Sequence, residues 1–180
     1  EPPKELSSFA DLVDLVAADL YACTQLWRFP QLTTSVLRVA YTLGPSGRGT
    51  LGSYLRGGAV PTVLGHDPLF QFLHEDDAAD AIVRTVERRP RGVFNVAGPQ
   101  PLPLSVVIRH TGRRQLPLPA ALLERLEGRL GLPSLNSGAV SHLMYPIVID
   151  GTAFVRETGF SPAYDEVQTL EDFRAARPVV

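Results

Sequence analysis

Residues 70–97, FQFLHEDDAADAIVRTVERRPRGVFNVA, decide the fold. An apolar run opens the stretch, acidic residues follow at once, and arginines at 84, 88 and 89 come later. Acids in the first turn and bases in the last complement the helix dipole, so the pattern predicts a helix over 76–89. Gly92 then restarts the chain as a strand over 93–97. A strand, a helix and a strand in this order indicate an α/β sheet.

The same pattern predicts which side of this helix packs against the rest of the protein. Its apolar residues recur at helical spacing, which favours a buried face. That face comprises Ala78, Ala79, Ile82, Val83 and Val86.

Upstream, residues 35–43 (SVLRVAYTL) are apolar with little alternation and stop at Gly44-Pro45. Such a run is typical of a strand that is buried on both faces in a parallel sheet. A helix is expected over 8–27, because apolar residues recur there at helical spacing after Ser8 and Asp11. Shorter elements are expected as a helix over 49–56 and as strands over 60–64 and 70–73.

The later part of the chain is helix-rich, with prolines in its links. Helices are expected over 104–110, 120–130 and 137–144, a strand over 147–149, and a final helix from Thr169. We interpret residues 1–180 as a single unit with a lid-like second half, because 180 residues make one domain but are few for two.

Composition excludes several classes of function. Hydrophobic residues make up 44% and charged residues 20%, and 17 Lys+Arg against 19 Asp+Glu give a net charge of −2. A phosphate-tracking nucleic-acid surface is therefore not expected. The single cysteine, Cys23, excludes an intrachain disulfide and a multi-cysteine metal site. Neither a membrane span nor a signal peptide is expected, and the Arg-rich, Lys-poor usage suggests a bacterial cytoplasmic protein.

The chemistry-bearing residues taken alone indicate no more than an α/β domain. The histidines lack the HExxH spacing, and no serine stands in a GxSxG motif. The loop at 44–49 (GPSGRG) lacks both GxGxxG and a P-loop lysine, so a plain loop is favoured over a phosphate site. His74 with the three acids after it is interpreted as a helix start, and Arg113-Arg114 as a solvated helix end.

Three segments nevertheless resemble one family. LRVAYTLGP at 37–45 is similar to LRPxNVYGP, FQFLHEDDAA at 70–79 to RDFIHVDDVA, and FNVAGP at 94–99 to YNVAGP. These motifs, in this order, are those of the extended short-chain dehydrogenase/reductases, the NAD-dependent epimerase/dehydratase family. The resemblance spans residues 8–173. It implies the C-terminal portion of a Rossmann-like doubly wound parallel sheet, with the helix-rich substrate-binding subdomain.

The resemblance also implies where ligands would bind. Cofactor contacts are expected from Tyr41, Thr42 and Leu43, and the intact family member would bind NAD or NADP. Substrate contacts are expected from Tyr54, Val60, Leu64, Phe70, Gln71 and Asn95. No metal site is expected.

The chain departs from the family at the catalytic pair. Phe9 and Val13 stand at the positions of the Tyr-x-x-x-Lys motif, in which tyrosine exchanges a proton and lysine lowers its pKa. Lys4 is the only lysine, so no shifted copy of the motif exists. The chain also lacks the glycine-rich turn of the family's cofactor half, so it is not expected to bind a nicotinamide cofactor tightly by itself.

Two further departures concern the substrate. Phe70 replaces an arginine that meets the diphosphate in sugar-nucleotide members, and Tyr41 replaces an asparagine. An aromatic side chain in place of an arginine abolishes bidentate phosphate recognition. An apolar or weakly polar ligand, or none, is therefore expected, with poor binding of nucleotide sugars.

Two functions remain open on the sequence. The chain is either the substrate-binding half of an NAD(P)-dependent enzyme, with the cofactor half on another chain, removed or absent, or a non-catalytic pseudoenzyme that senses a ligand or binds a protein. Half of a doubly wound sheet would leave an edge and an apolar face uncovered around Val36, Leu37 and Val39. Expected partners are therefore the missing N-terminal half or a second copy.

Overall fold

The computed structural model describes residues 13–126, 140 and 143–179. Its helices are α1 (Val13–Arg28), α2 (Gly49–Tyr54), α3 (Glu75–Arg88), α4 (Leu104–His110), α5 (Ala120–Leu126), α6 (Thr152–Thr158) and α7 (Glu166–Ala176). Its strands are β1 (Ser35–Val39), β2 (Tyr41–Leu43), β3 (Ala59–Val63), β4 (Leu69–Phe70), β5 (Phe72–His74), β6 (Gly92–Val96), β7 (Leu102–Pro103) and β8 (Arg114–Leu118).

Parallel strand pairs dominate the sheets. β1 pairs with β6, β2 with β5 and β3 with β8, all in parallel, whereas β4 pairs with β7 in antiparallel fashion. The helix α3 connects β5 to β6, as the acidic start and basic end of the pattern predict. This mixed architecture with parallel pairs confirms the expected α/β class.

Two clusters of apolar side chains form the core. The larger one joins β2, α2, β3, β5, α4 and α7. The smaller one lies between β6 and α6 and contains Phe94, Phe154 and Phe160. Each fully buried large side chain stabilises the fold by about 1.5–3 kcal/mol, so the larger cluster contributes most of the stability.

The run at 35–43 forms two short strands instead of one. The first strand ends at Val39 and the second begins at Tyr41, and the N–H of Ala40 between them donates to the carbonyl of Val96 at 2.9 Å. Burial on both faces is wrong for the first strand, since Val36 and Leu37 are half-buried and Val39 is 39% exposed. In the described part of the chain β1 pairs with β6 and with no other strand, which leaves its second edge uncovered.

The expected buried face of α3 is also wrong for its large residues, although Ala78 packs against the smaller core cluster. Ile82, Val83 and Val86 are 56%, 52% and 69% exposed, whereas Asp77 and Ala81 are buried. The carboxylate of Asp77 accepts hydrogen bonds from the backbone N–H groups of residues 163 and 164. These bonds turn the Asp77 side of the helix inward, and the apolar stripe faces outward.

The helix α1 has no buried residue. Val16, Asp19 and Cys23 are half-buried on the side that faces β1, while Leu15 and Trp27 are 68% and 87% exposed. The helix therefore carries apolar residues on a face that nothing in the described part of the chain covers.

The later elements agree only in part with the expectations. α4 has the expected bounds, but the expected helix over 137–144 lies mostly outside the described residues, as does 120–130 beyond Leu126. The expected strand over 147–149 is wrong, because only Ile147 makes a bridge, to Phe70. The last helix begins at Glu166, before Thr169, because Asp165 and Gln168 form a capping box.

The interpretation of Arg113-Arg114 as a solvated helix end is wrong for Arg113. Its side chain is 6% exposed, and Arg114 begins β8, a strand that the sequence analysis did not predict. Across the described ranges, no helix combines the length and the apolar character that crossing a membrane requires.

Candidate functional site

The carboxyl ends of β1 and β6 lie at the same edge, because the two strands are parallel and Val39 stands opposite Val96. Tyr41 follows the first strand after one residue, and residues 97–99 follow the second. Ligands of open parallel α/β sheets bind outside the carboxyl ends of the strands. This edge is therefore the place where a site is expected.

A cleft of about 380 Å³ opens next to the end of β6. Residues 97–99 form one wall, and residues 149–152 with Phe154 and Val155 form the other. Gln71 lies between the two walls. No lysine, arginine or histidine is among the described residues that line this strand-end cleft.

Two predicted substrate residues fix the walls of the cleft. Gln71 is 6% exposed; its Nε2 donates to the carbonyl of Gly98 at 2.9 Å, and its Oε1 accepts from the N–H of Ile149 at 3.0 Å. Asn95 Nδ2 donates to the carbonyl of Asp150 at 3.2 Å. Both amides therefore tie the segment 149–150 to the strand ends.

An exposed carboxylate stands at the mouth of the cleft. Asp150 Oδ1 accepts from the hydroxyl and the N–H of Thr152, at 2.5 and 2.9 Å. These hydrogen bonds hold the pKa of Asp150 below its usual range, so the group is an anion at neutral pH. A diphosphate would meet a negative charge here and no compensating cation.

Most other predicted site residues lie in the larger core cluster. Leu43 and Val60 are at most 1% exposed, and Tyr41 stacks on Phe70 with ring centroids 5.7 Å apart. The Tyr54 hydroxyl donates to the carbonyl of Pro61. Burial raises the pKa of the Tyr41 and Tyr54 hydroxyls.

The structure thus brings Gln71 and Asn95 to the same segment, 149–150. Thr42 is half-buried in β2, and Leu64 lies after β3 with 60% exposure. Ligand contacts for these residues stay a prediction. Of the catalytic positions, Phe9 lies outside the described residues and Val13 is the first residue of α1, 44% exposed.

The segment 74–77 begins α3, as expected. His74 Nδ1 accepts from the N–H of Asp76 at 3.1 Å, and its ring stacks on Tyr164 with centroids 3.8 Å apart. Its Nε2 is buried without a hydrogen-bond partner, 3.6 Å from the carboxylate of Asp172. Within the described ranges no three His, Cys, Asp or Glu side chains are placed to hold a metal ion.

The glycine-rich loop at 44–49 is occupied by a side chain of the protein itself. The N–H and the hydroxyl of Ser46 both donate to the carboxylate of Glu75. A nicotinamide dinucleotide places phosphates on such donors, and here a carboxylate already takes that position. With Glu75 in this position, the loop does not fit the cofactor's phosphates.

Sequence reasoning missed three residues with defined roles. Glu75 stands where the resembling motif RDFIHVDDVA has valine, and this difference was available in the sequence. No comparable difference in the sequence indicated the roles of Asp150 and Arg113. The Arg113 guanidinium donates to the carbonyls of Leu55, Thr111 and Arg177 and lies 4.7 Å from the Phe173 ring; burial lowers its pKa.

Comparison with known proteins finds relatives of unassigned function, and no family model matches the chain. An uncharacterized protein of Mycobacterium tuberculosis is 33% identical over 159 residues, which cover 85% of this chain and 42% of that protein. An uncharacterized protein of Sinorhizobium fredii is 28% identical over 163 residues, 82% of this chain and 41% of that protein. The chain thus spans about two fifths of the length of these curated relatives.

Solved structures show which fold this is. RMD from Pseudomonas aeruginosa, complexed with NADPH, superposes with a TM-score of 0.61 at 16% identity, over 90% of this chain and 53% of that one. UDP-N-acetylglucosamine 4-epimerase from Bacillus cereus gives 0.60 at 14%, over 84% and 50%. Pal from Bacillus thuringiensis gives 0.66 at 11%, over 89% and 50%. The chain has the fold of about half of each of these proteins.

Proposed function

We propose that this chain is the substrate-side half of an NAD(P)-dependent epimerase/dehydratase-like protein, and that it binds an apolar or weakly polar small molecule. The strand-end cleft carries this proposal, because it lies at the carboxyl end of a parallel strand and presents apolar walls, amides and one carboxylate. The half-length match to NADPH- and NAD-bound structures supports the cofactor class of the intact protein.

The chain's own residues position a ligand and supply no proton at the family's catalytic positions. Phe9 has no exchangeable proton, and Val13 has neither charge nor donor. Gln71 and Asn95 hold the cleft walls in place through backbone carbonyls and N–H groups. Proton or hydride transfer in the intact protein would therefore depend on residues beyond this chain.

Charge defines the class of ligand. Burying a diphosphate without a counter-charge costs several kcal/mol. This cost is comparable to the whole binding free energy of a ligand with micromolar affinity. The strand-end cleft offers the Asp150 anion and no described cation. We therefore propose hydrophobic ketones, sterols or quinones as ligands in preference to nucleotide sugars.

A thermal-shift panel of these compounds tests the proposal on the longest protein that contains residues 1–180. Val155→Trp fills the cleft from α6, whereas Val167→Trp adds the same bulk on α7, outside the cleft; the two valines are 47% and 41% exposed. Stabilisation by an apolar compound should disappear in the first variant and persist in the second. Strong stabilisation by a nucleotide sugar would contradict the proposal.

The second candidate function is a non-catalytic pseudoenzyme that binds a ligand or a protein. Its supporting observations are the replaced catalytic pair and the loop occupied by Glu75. Calorimetric titration of the longer protein with NAD(H) and NADP(H), followed by turnover assays, separates the two. Micromolar binding with turnover favours the enzyme half, and no binding favours the pseudoenzyme.

The uncovered surface of α1 and β1 supports a proposal about partners. An exposed strand edge and an apolar helix face invite association, with the cofactor half or with a second copy. Light scattering of residues 1–180 should show dimers or larger species. A monodisperse monomer with a cooperative melt would contradict this expectation. We also propose a bacterial cytoplasmic location, which the Arg-rich, Lys-poor usage supports.

A further inference from the structure

We propose that the loop Gly44–Gly49 is an anion-binding site, here called the cradle. The carboxylate of Glu75 occupies this site and prevents phosphate from binding there. This cradle is separate from the strand-end cleft, so the proposal goes beyond the ligand-binding function and does not depend on it. It makes Glu75 a residue that determines specificity.

Two donors of the loop converge on one carboxylate. The N–H of Ser46 donates to Glu75 Oε1 at 3.0 Å, and the Ser46 hydroxyl donates to Oε2. The N–H of Arg48 donates to the same hydroxyl oxygen at 3.2 Å, which orients the hydroxyl toward Glu75. A backbone N–H and a serine hydroxyl that meet at one point are the donors by which loops bind phosphate oxygens.

The loop is also shaped around the Glu75 side chain. A Cβ on Gly44 would lie 2.5 Å from Glu75 Cγ and 2.6 Å from Cδ, so only glycine leaves the room that this side chain fills. Glu75 is the first residue of α3, and His74 caps the helix immediately before it. The helix start therefore places Glu75 beside the loop, and its side chain fills the space that Gly44 leaves.

Positive charge borders the cradle on its other side. The Arg177 guanidinium donates to the carbonyls of Pro45 and Ser46, and its Nε lies 3.0 Å from where a Cβ of Gly47 would stand. Arg48 is exposed in the same loop. Without the Glu75 carboxylate, the two Ser46 donors would be free in a loop that carries Arg48 and is contacted by Arg177, a set that favours a small anion.

A purely structural role for Glu75, as a tie between α3 and the loop, makes a different prediction. If Glu75 only joins α3 to the loop, its removal loosens the loop and creates no affinity for anions. If the Glu75 carboxylate instead occupies an anion site, its removal exposes the Ser46 donors, which then bind another anion. Anion binding by the variants therefore separates the two roles.

The experiment measures binding of inorganic phosphate and pyrophosphate to the full chain by amide chemical-shift titration at constant ionic strength. Glu75→Ala should bind pyrophosphate about tenfold more tightly than the wild type, the factor expected for one charge-assisted hydrogen bond. The shifts should centre on Ser46, and Ser46→Ala in the same background should abolish the gain. Glu87→Ala is the matched control, because it removes the same charge from an exposed position of α3.

Glu75→Gln keeps the size of the side chain and its hydrogen-bond acceptor, so it tests the charge even if Glu75→Ala fails to fold. It should bind pyrophosphate more tightly than the wild type but less tightly than Glu75→Ala, because the neutral amide no longer repels the anion but still accepts from Ser46. The proposal is overturned by equal binding in the wild type and in the folded Glu75 variants, or by an equal gain in Glu87→Ala. Wild-type phosphate binding at Ser46 would overturn it as well.

Discussion

The region around β2 and β5 and the region around β1 and β6 are similarly apolar in sequence but have unlike surroundings. Both pairs are parallel and rich in apolar residues. Leu43, Phe72 and Leu73 are at most 1% exposed, whereas Val39 and Val93 are 39% and 37% exposed. The difference lies in what covers each pair: helices pack over the first, and α1 and α6 cover the second only in part.

This contrast shows that an apolar run determines a strand but not its burial. The run at 35–43 supplies residues to both regions, and its two strands have different degrees of exposure. Burial depends on elements distant in sequence, such as α7, which packs against β2 and β5. The β1–β6 region is the one we propose to be completed by a partner.

The largest change in the free energy of unfolding is expected when a core aromatic residue is replaced, and it contrasts with the small change expected for an exposed one. Phe72→Ala should destabilise the chain by about 3–5 kcal/mol, because Phe72 is 1% exposed in the larger cluster. Trp27→Ala on α1 should change the free energy of unfolding by no more than about 0.5 kcal/mol, because Trp27 is 87% exposed. Urea unfolding of both variants checks this, and equal losses would contradict the contrast.

The contact between the two regions gives the next effect. Gly98 follows β6, and a Cβ there would lie 1.7 Å from the carbonyl oxygen of Phe72 in β5. Gly98→Ala should therefore destabilise the chain by about 3 kcal/mol, measured by thermal unfolding. Gly57→Ala is the control, since its Cβ would meet its nearest neighbour at 3.4 Å. Similar melting temperatures for the two variants would show that the regions are not in close contact.

Arg113 tests how the buried region depends on a polar side chain. Arg113→Met leaves the carbonyls of Leu55, Thr111 and Arg177 without this donor, and should destabilise the chain by about 1–3 kcal/mol. The neighbouring Arg114→Met, at an exposed position, should have an effect below about 0.5 kcal/mol. If urea unfolding gave both variants the same stability, the carbonyl contacts would not be stabilising.

The smallest change in stability is expected at the surface formed by α1 and β1. Asp19 lies 2.7 Å from the Arg38 guanidinium, whose hydrogen bonds hold the pKa of Asp19 below its usual range. Solvent screens this pair, so Asp19→Asn should reduce stability by only about 0.2–1 kcal/mol. Because the folded-state pKa is lowered, the contribution is complete above about pH 4 and is lost as the pH falls through the lowered value.

Unfolding measured across this pH range in the wild type, Asp19→Asn and Asp14→Asn checks the prediction. Asp14 lies on the same helix and is exposed, so its variant controls for charge. A wild-type advantage over Asp19→Asn that does not decline at any pH below about 4 would contradict the ion-pair account.

The sequence predicted α3 within one residue at each end, because its acids and arginines complement the helix dipole strongly. It did not predict which face of α3 is buried, since Asp77 binds backbone groups 86 and 87 residues away. Gln71 was predicted as a site residue and lies in the cleft wall, whereas Asp150, across the cleft, was missed. Contacts between distant segments are not encoded in local pattern, and both the cleft and the cradle depend on them.

Hydrogen exchange of the backbone amides, followed by mass spectrometry, tests the contrast most directly. It should be measured on residues 1–180 alone and on a longer protein that contains them. The account predicts that amides of β1 exchange much faster than those of β5 in residues 1–180, and that β1 becomes as protected as β5 in the longer protein. Equal protection of the two strands in residues 1–180 would contradict the account.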